Sequence, residues 1–194
     1  MSSLNWRWVL SKEKFTFNSI HTVVFDFDGV FTDNYVYVDS HGNETVRCSR
    51  ADSYGINLLK VAKTKKNGLF DFFVLSTEAN QVVGNRCQKM GIDCHSGEGD
   101  KRAFLESWLE TNRPGLDSPE QGVLYFGNDL NDLEVISYAK LSICPSDAHP
   151  ELKKKATFVL DSLGGQGFVR EGIEFLLGFP HMTSGEIHEF ISNS

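Results

Sequence analysis

The sequence lacks the features that mark several large classes of protein. Basic charge is not in excess: 19 Lys and Arg stand against 26 Asp and Glu, a formal net charge of −7. A general nucleic-acid binder needs a basic face to displace counterions, so that class is excluded, although a local pocket for a small anion is not. No apolar run approaches the roughly 20 residues that cross a bilayer. The start, Met1-Ser-Ser-Leu-Asn-Trp-Arg-Trp8, has no apolar signal-peptide core. A cytoplasmic protein without membrane contact is expected. The four cysteines (Cys48, Cys87, Cys94, Cys144) form no Cys-x-x-Cys pair and are too sparse for a disulfide scaffold, so they read as reduced, buried thiols. Cys94-His95 has no second pair at ligand spacing, and the six histidines show no His-Glu-x-x-His pattern.

Apolar residues, by contrast, are plentiful. In a chain of 194 residues, 40% hydrophobic and 23% charged content supports one domain with a sizeable core and excludes wholesale disorder. Buried-strand runs alternate with helical spacing. Thr22–Phe25 is an apolar run that stops at Asp26-Phe-Asp-Gly29. Tyr35–Asp39 and Glu44–Cys48 flank Ser40-His-Gly-Asn43, a hairpin by alternation and turn chemistry. A helix over Ile56–Lys66, a strand at Phe72–Leu75, a helix over Asn80–Met90 stopped by Gly91 and a short strand at Ile92–Cys94 follow. Helices over Lys101–Thr111 and Leu130–Ala139, strands at Gly122–Phe126, Leu141–Cys144 and Thr157–Leu160, a short helix opened by Pro150 and a closing helix after Gly164-Gly-Gln-Gly167 complete the pattern.

Such alternation predicts an α/β domain, a Rossmann-like parallel sheet with helices on both faces. In that architecture the site lies beyond the carboxyl ends of the strands. Asp26, Ser76 and Gly127-Asn-Asp129 all fall at such ends. A β-hairpin insertion follows the first strand. Residues 1–19 form an amino-terminal extension, in which Trp6, Trp8, Phe15 and Phe17 suggest packing, and 179–194 form a carboxyl-terminal tail.

Asp26-x-Asp28 at a strand end places two carboxylates within reach of one ligand. Their mutual repulsion would leave one protonated unless a hard divalent cation lay between them, and magnesium suits few oxygen donors. With a phosphoryl group docked there, one carboxylate can attack phosphorus while the other protonates the leaving oxygen and later activates water. The Ser76 hydroxyl and the Lys101 ammonium can stabilise the transferring oxygens. Each feature alone reads as a turn, a helix cap or a solvated lysine; their order and strand-end placement are what is specific.

Val23-Val-Phe-Asp26-Phe-Asp28-Gly-Val, Leu75-Ser76-Thr77, Asp100-Lys101 and Gly127-Asn-Asp-Leu-Asn-Asp132 resemble the four motifs of the haloacid dehalogenase superfamily. Residues 20–178 look most like its capless branch, the 3-deoxy-manno-octulosonate 8-phosphate phosphatases, and are similar to the phosphatase-like domains fused to bacterial CMP-sialate synthetases. The resemblance implies Asp26 as nucleophile, Asp28 as acid and base, and Ser76 and Lys101 as phosphate binders. It also implies a Mg2+ site of Asp26, Asp28 and Asn128, supported by Asp129 and Asp132. Arg50, Asp52, Ser53, Thr77, Glu78, Arg86, Lys89 and Arg170 are the substrate-binding positions it implies.

Only 47 residues separate Asp28 from Ser76, and 24 separate Ser76 from Lys101, too few for a cap domain beside the elements already placed there. The resemblance implies a homotetramer in which the hairpin (35–48) and the segment 164–170 cover a neighbour's site. Two departures stand out. Asn128 replaces an acidic metal ligand, so weaker metal binding is expected. Glu78 replaces an arginine of the octulosonate enzymes and, with Lys89, resembles the branch acting on the nine-carbon 2-keto-3-deoxynononate 9-phosphate. The expectation is therefore a magnesium-dependent phosphatase for a sugar-acid phosphate, the nine-carbon 9-phosphate ahead of the eight-carbon 8-phosphate. The alternative is a weakly catalytic or non-catalytic tetramerisation module associated with a CMP-sialate synthetase.

Overall fold

The computed structural model describes residues 19–192. In chain order its elements are β1 (Thr22–Phe25), the hairpin strands β2 (Thr32–Val38) and β3 (Glu44–Cys48), α1 (Arg50–Lys65), β4 (Asp71–Leu75), α2 (Gln81–Met90), β5 (Asp93–His95), α3 (Lys101–Asn112) and β6 (Val123–Phe126). There follow α4 (Leu133–Tyr138), β7 (Leu141–Cys144), α5 (Pro150–Lys155), β8 (Phe158–Val159), α6 (Phe168–Leu176) and α7 (Ser184–Ser192). Six strands form one parallel sheet in the order β5-β4-β1-β6-β7-β8, while β2 and β3 pair only with each other, antiparallel.

A parallel sheet must be covered on both faces, and the strand sequences supply apolar side chains to each. Val23, Phe25, Val74, Leu124 and Phe126 join Leu59 of α1, Val83 of α2 and Ile173 of α6 in one cluster. Val24, Phe73, Leu75, Val123 and Tyr125 join Leu105 of α3, Val135 of α4 and Leu152 of α5 in the other. Within the first, Phe126 stacks on Phe25 at 4.6 Å between ring centroids and meets Phe168 edge-on at 5.8 Å.

Element boundaries show where local sequence and tertiary packing part. α2 begins and ends as its sequence predicts: the Asn80 side chain accepts from the Val82 N–H, and Gly91 takes a left-handed φ of 62° that closes the helix. α1 begins six residues earlier than its apolar spacing predicts, because Ser49 caps it and Gly55 is protected by packing. A Cβ on Gly55 would lie 2.8 Å from Arg170 Cα, so the glycine that weakens the helix locally lets α6 approach it. The helix expected over Leu130–Ala139 divides into a 3-10 turn (Leu130–Asp132) and α4. Most of the tail is also ordered: α7 lays Ile187, Phe190 and Ile191 against the first cluster, with Phe190 edge-on to Phe179 at 5.3 Å. Trp6, Trp8, Phe15 and Phe17 lie outside the described residues.

All four cysteines are free thiols. Among the described residues, no helix is long and apolar enough to cross a membrane.

Candidate active site

β1 ends at Phe25, and the next amide, that of Asp26, donates to the Phe126 carbonyl at 2.8 Å. This bond extends the β1–β6 pairing by one residue and fixes Asp26 at the top of the sheet, where it is 4% exposed. Lys101 is the first residue of α3. Its Nζ lies 2.7 Å from Asp26 Oδ1 and 2.8 Å from Asp132 Oδ1. Tyr125 donates its hydroxyl to the same Asp132 oxygen at 2.7 Å, and Asp132 Oδ2 accepts from the amides of Asn128 (2.9 Å) and Asp129 (3.3 Å). One buried carboxylate thus shapes the turn after β6 and shares the lysine with Asp26. Gly127 is required in this turn, since a Cβ there would fall 2.6 Å from Asp132 Oδ2.

Asp28 is positioned by a hydroxyl. Thr32 donates to Asp28 Oδ1 at 3.3 Å, while its oxygen accepts from the amides of Gly29 (3.1 Å) and Asn34 (3.2 Å). Gly29 has φ 75° and lies against the Asn128 side chain, which a Cβ would strike at 1.8 Å. From behind, Gly164 packs on the Gly29 carbonyl, 2.0 Å from where its own Cβ would stand, and the Gly165 amide donates to the Val30 carbonyl at 3.0 Å. The Asp28–Gly29 loop is therefore held by a hydroxyl in front and a glycine pair behind.

These groups open on a cleft of about 340 Å³ lined by Asp26, Asp28, Ser76, Thr77 and Asn128 among others. Its electrostatics follow from burial. Desolvation and then the Asp132 charge push the Asp26 carboxyl up to about 7, against the pull of Lys101. Desolvation also raises Asp28, with Glu78 adding to the effect and the Thr32 hydroxyl opposing it. Burial opposes the charged form of Lys101, but Asp26 and Asp132 outweigh it and keep the ammonium above its ordinary value. The Asn128 Oδ1 is buried without a hydrogen-bond partner. Two carboxyls, beside an orphaned amide oxygen on the same cleft, form a hard-oxygen donor set that fits a magnesium ion.

The model of the haloacid dehalogenase-like hydrolases matches residues 12–170. The chain belongs to that family. Within these hydrolases its likeness is to phosphatases. The 3-deoxy-D-manno-octulosonate 8-phosphate phosphatase of Yersinia pestis is 31% identical over 160 residues, 82% of this chain and 80% of that protein. The crystal structure of a haloacid dehalogenase family hydrolase from Streptomyces avermitilis superposes with a TM-score of 0.74 at 36% identity, covering 84% of this chain and 88% of the other. That of the Moraxella catarrhalis 3-deoxy-D-manno-octulosonate 8-phosphate phosphatase, in complex with magnesium, phosphate and the sugar acid, shares the fold (TM-score 0.75, 23% identity, coverage 90% and 95%). The chain is a phosphatase of this hydrolase family, and no cap domain interrupts it: only the hairpin, α1 and β4 lie between Asp28 and Ser76, only α2 and β5 between Ser76 and Lys101.

Asp26, Asp28, Ser76, Thr77, Asn128 and Asp129 come together on the cleft of this hydrolase, with Lys101 and Asp132 directly behind. Ser76 is buried, its hydroxyl accepting from the Glu78 amide at 3.1 Å. The other positions implied by resemblance lie elsewhere. Asp52 is 1% exposed, its carboxylate accepting from the amides of Gly167 (3.3 Å) and Arg170 (3.1 Å), so it caps α6 rather than facing the cleft. Arg170 pairs with Glu174 at 2.7 Å and stacks on Tyr54, and it does not line the cleft. Arg86 donates to the Ser53 hydroxyl and to the Ser49 carbonyl, tying α2 to the start of α1. Arg50, Glu78 and Lys89 are exposed and do not line the cleft.

Three residues that the sequence reading passes over hold or line the site: Thr32, Asn34 and Tyr125. Tyr125 sits inside an apolar strand and reads as core. Thr32 and Asn34 sit where a hairpin begins; the single available signal is an asparagine in a stretch otherwise suited to strand.

Proposed function

We propose that the chain is a magnesium-dependent phosphomonoesterase that releases phosphate from a 2-keto-3-deoxy sugar-acid phosphate through an aspartyl phosphate on Asp26. The observation that carries this reading is the Asp26 carboxylate held against buried Lys101 at 2.7 Å while it faces an open cleft beside Asp28. Asp26 attacks phosphorus in line, and the bond to the sugar oxygen breaks as the aspartyl ester forms. Asp28 gives a proton to the departing sugar oxygen. Asp28 then takes a proton from water as that water attacks phosphorus and frees Asp26. Lys101 and the Ser76 hydroxyl hold the equatorial oxygens. Asp26, Asp28 and Asn128 would hold a magnesium ion, whose positive charge would let a dianionic phosphate approach two carboxylates.

Relatives named for octulosonate 8-phosphate make the eight-carbon acid the leading substrate. The nine-carbon 9-phosphate rests on the identities of Glu78 and Lys89 alone. An assembly module without catalysis would have no use for an ammonium buried between two carboxylates, an arrangement costly to desolvate. Oligomerisation belongs to the same proposal: Tyr35, Val36, Tyr37 and Val38 of the hairpin are all more than half exposed, apolar on both faces of β2 and suited to contact with a second copy. Association with a CMP-sialate synthetase has no support in the geometry.

Phosphate release from both sugar-acid phosphates with magnesium tests the reading. Turnover by the wild type, lost by about 10³-fold or more in Asp26→Asn, is expected. Equal turnover by a folded Asp26→Asn protein would overturn it.

A further inference from the structure

Asn34 has no assigned part in this site, yet its backbone and surroundings are specialised. Its φ of 64° is left-handed, a conformation that only two described non-glycine residues adopt, and the residue lines the cleft. The conformation is pinned from within the site, because the Asn34 amide donates at 3.2 Å to the same Thr32 hydroxyl that donates to Asp28. Asn34 is thus fixed relative to the acid that serves the leaving oxygen. Further around the wall, Asn131 donates its side-chain amide to Thr77 Oγ1 at 3.5 Å. The described residues lining the cleft carry three asparagine amides and no Lys or Arg. Beside the carboxylates of Asp26, Asp28 and Asp129, these amides supply the wall's neutral donors and acceptors, which match the hydroxyls of a polyol chain.

We propose that Asn34 is a specificity-determining residue that hydrogen-bonds hydroxyl groups of the leaving group next to the phosphoryl centre, so the site selects phosphates of hydroxylated chains. This rests on the phosphatase reading above and deepens it. It also implies that the carboxylate of a sugar acid is bound beyond this wall.

Asn34→Gly is the variant of choice, because glycine adopts a positive φ without strain and removes only the side chain. The experiment compares kcat/KM of wild type and variant on octulosonate 8-phosphate and on p-nitrophenyl phosphate, whose leaving group has no hydroxyls. The expected result is a ratio of the two kcat/KM values that falls about three- to tenfold in Asn34→Gly, the worth of one neutral hydrogen bond. An unchanged ratio, whether both activities fall together or neither does, would overturn the proposal. A wild type inert on both substrates would instead overturn the phosphatase reading, and this inference with it.

Discussion

A lysine that is 2% exposed keeps its charge only where that charge is answered, and Lys101 is answered twice, by Asp26 and Asp132. Removing it leaves two buried carboxylates facing each other. Lys101→Ala is therefore expected to lose about 3–5 kcal/mol of stability, read from urea unfolding, as well as its activity. Asn128 makes the opposite case. It contributes an oxygen but no charge, so Asn128→Asp should lower the magnesium concentration needed for half-maximal activity, by roughly tenfold for about 1.4 kcal/mol of added attraction. No change in that concentration would remove Asn128 from the metal site. At this scale the sequence is legible where chemistry dictates a residue type at a strand end or helix start, as for Asp26, Asp28 and Ser76 at the former and Lys101 at the latter. It is silent on Thr32, because a hydroxyl that positions Asp28 is written like any threonine of a strand.

The elements that hold these residues depend on close backbone approaches. Gly164→Ala would drive a methyl into the Gly29 carbonyl, 2.0 Å from the ideal Cβ, and displace the loop that carries Asp28. A loss of about 1–3 kcal/mol and a fall in kcat are expected, measurable by urea midpoint and phosphate release. At the opposite end of the sheet, Asp71 pairs with Lys63 of α1 at 2.8 Å and with Arg113 after α3 at 2.6 Å. Burial alone would raise its carboxyl, but the two cations hold it below the ordinary value of 3.8. A depressed carboxyl stabilises the fold above its unfolded value and loses that contribution as pH falls through the folded one. Asp71 is 39% exposed, so solvent screening limits the effect to about 1 kcal/mol. Asp71→Asn should therefore melt about 2–4 °C lower at pH 7, with the difference vanishing well below pH 3.8. Strands and most helices were legible as elements because apolar runs and caps are local signals, as Asn80 and Gly91 show for α2. The early start of α1 was not, since Gly55 and buried Asp52 read as loop until α6 is packed against them.

For the whole molecule, the absence of a cap leaves the cleft open above the sheet, and the hairpin beside it exposes apolar residues on both of its faces. Sedimentation should give a mass several times the 21.8 kDa of one chain, reduced to the monomer in a Tyr35→Glu, Tyr37→Glu double variant; a monomeric wild type would argue against a shared site. The parallel topology was legible because alternating strands and helices admit few connections, whereas the direction in which Asp52 and Arg170 turn depended on helix packing that no motif encodes. The account stands or falls on Asp26 as the atom that takes the phosphoryl group. The measurement that tests this most directly is borohydride reduction of the protein quenched during turnover of octulosonate 8-phosphate, followed by peptide mass spectrometry. An acyl phosphate at residue 26 would be recovered as homoserine there and nowhere else. Turnover that leaves Asp26 unlabelled, or labels another residue, would contradict the account.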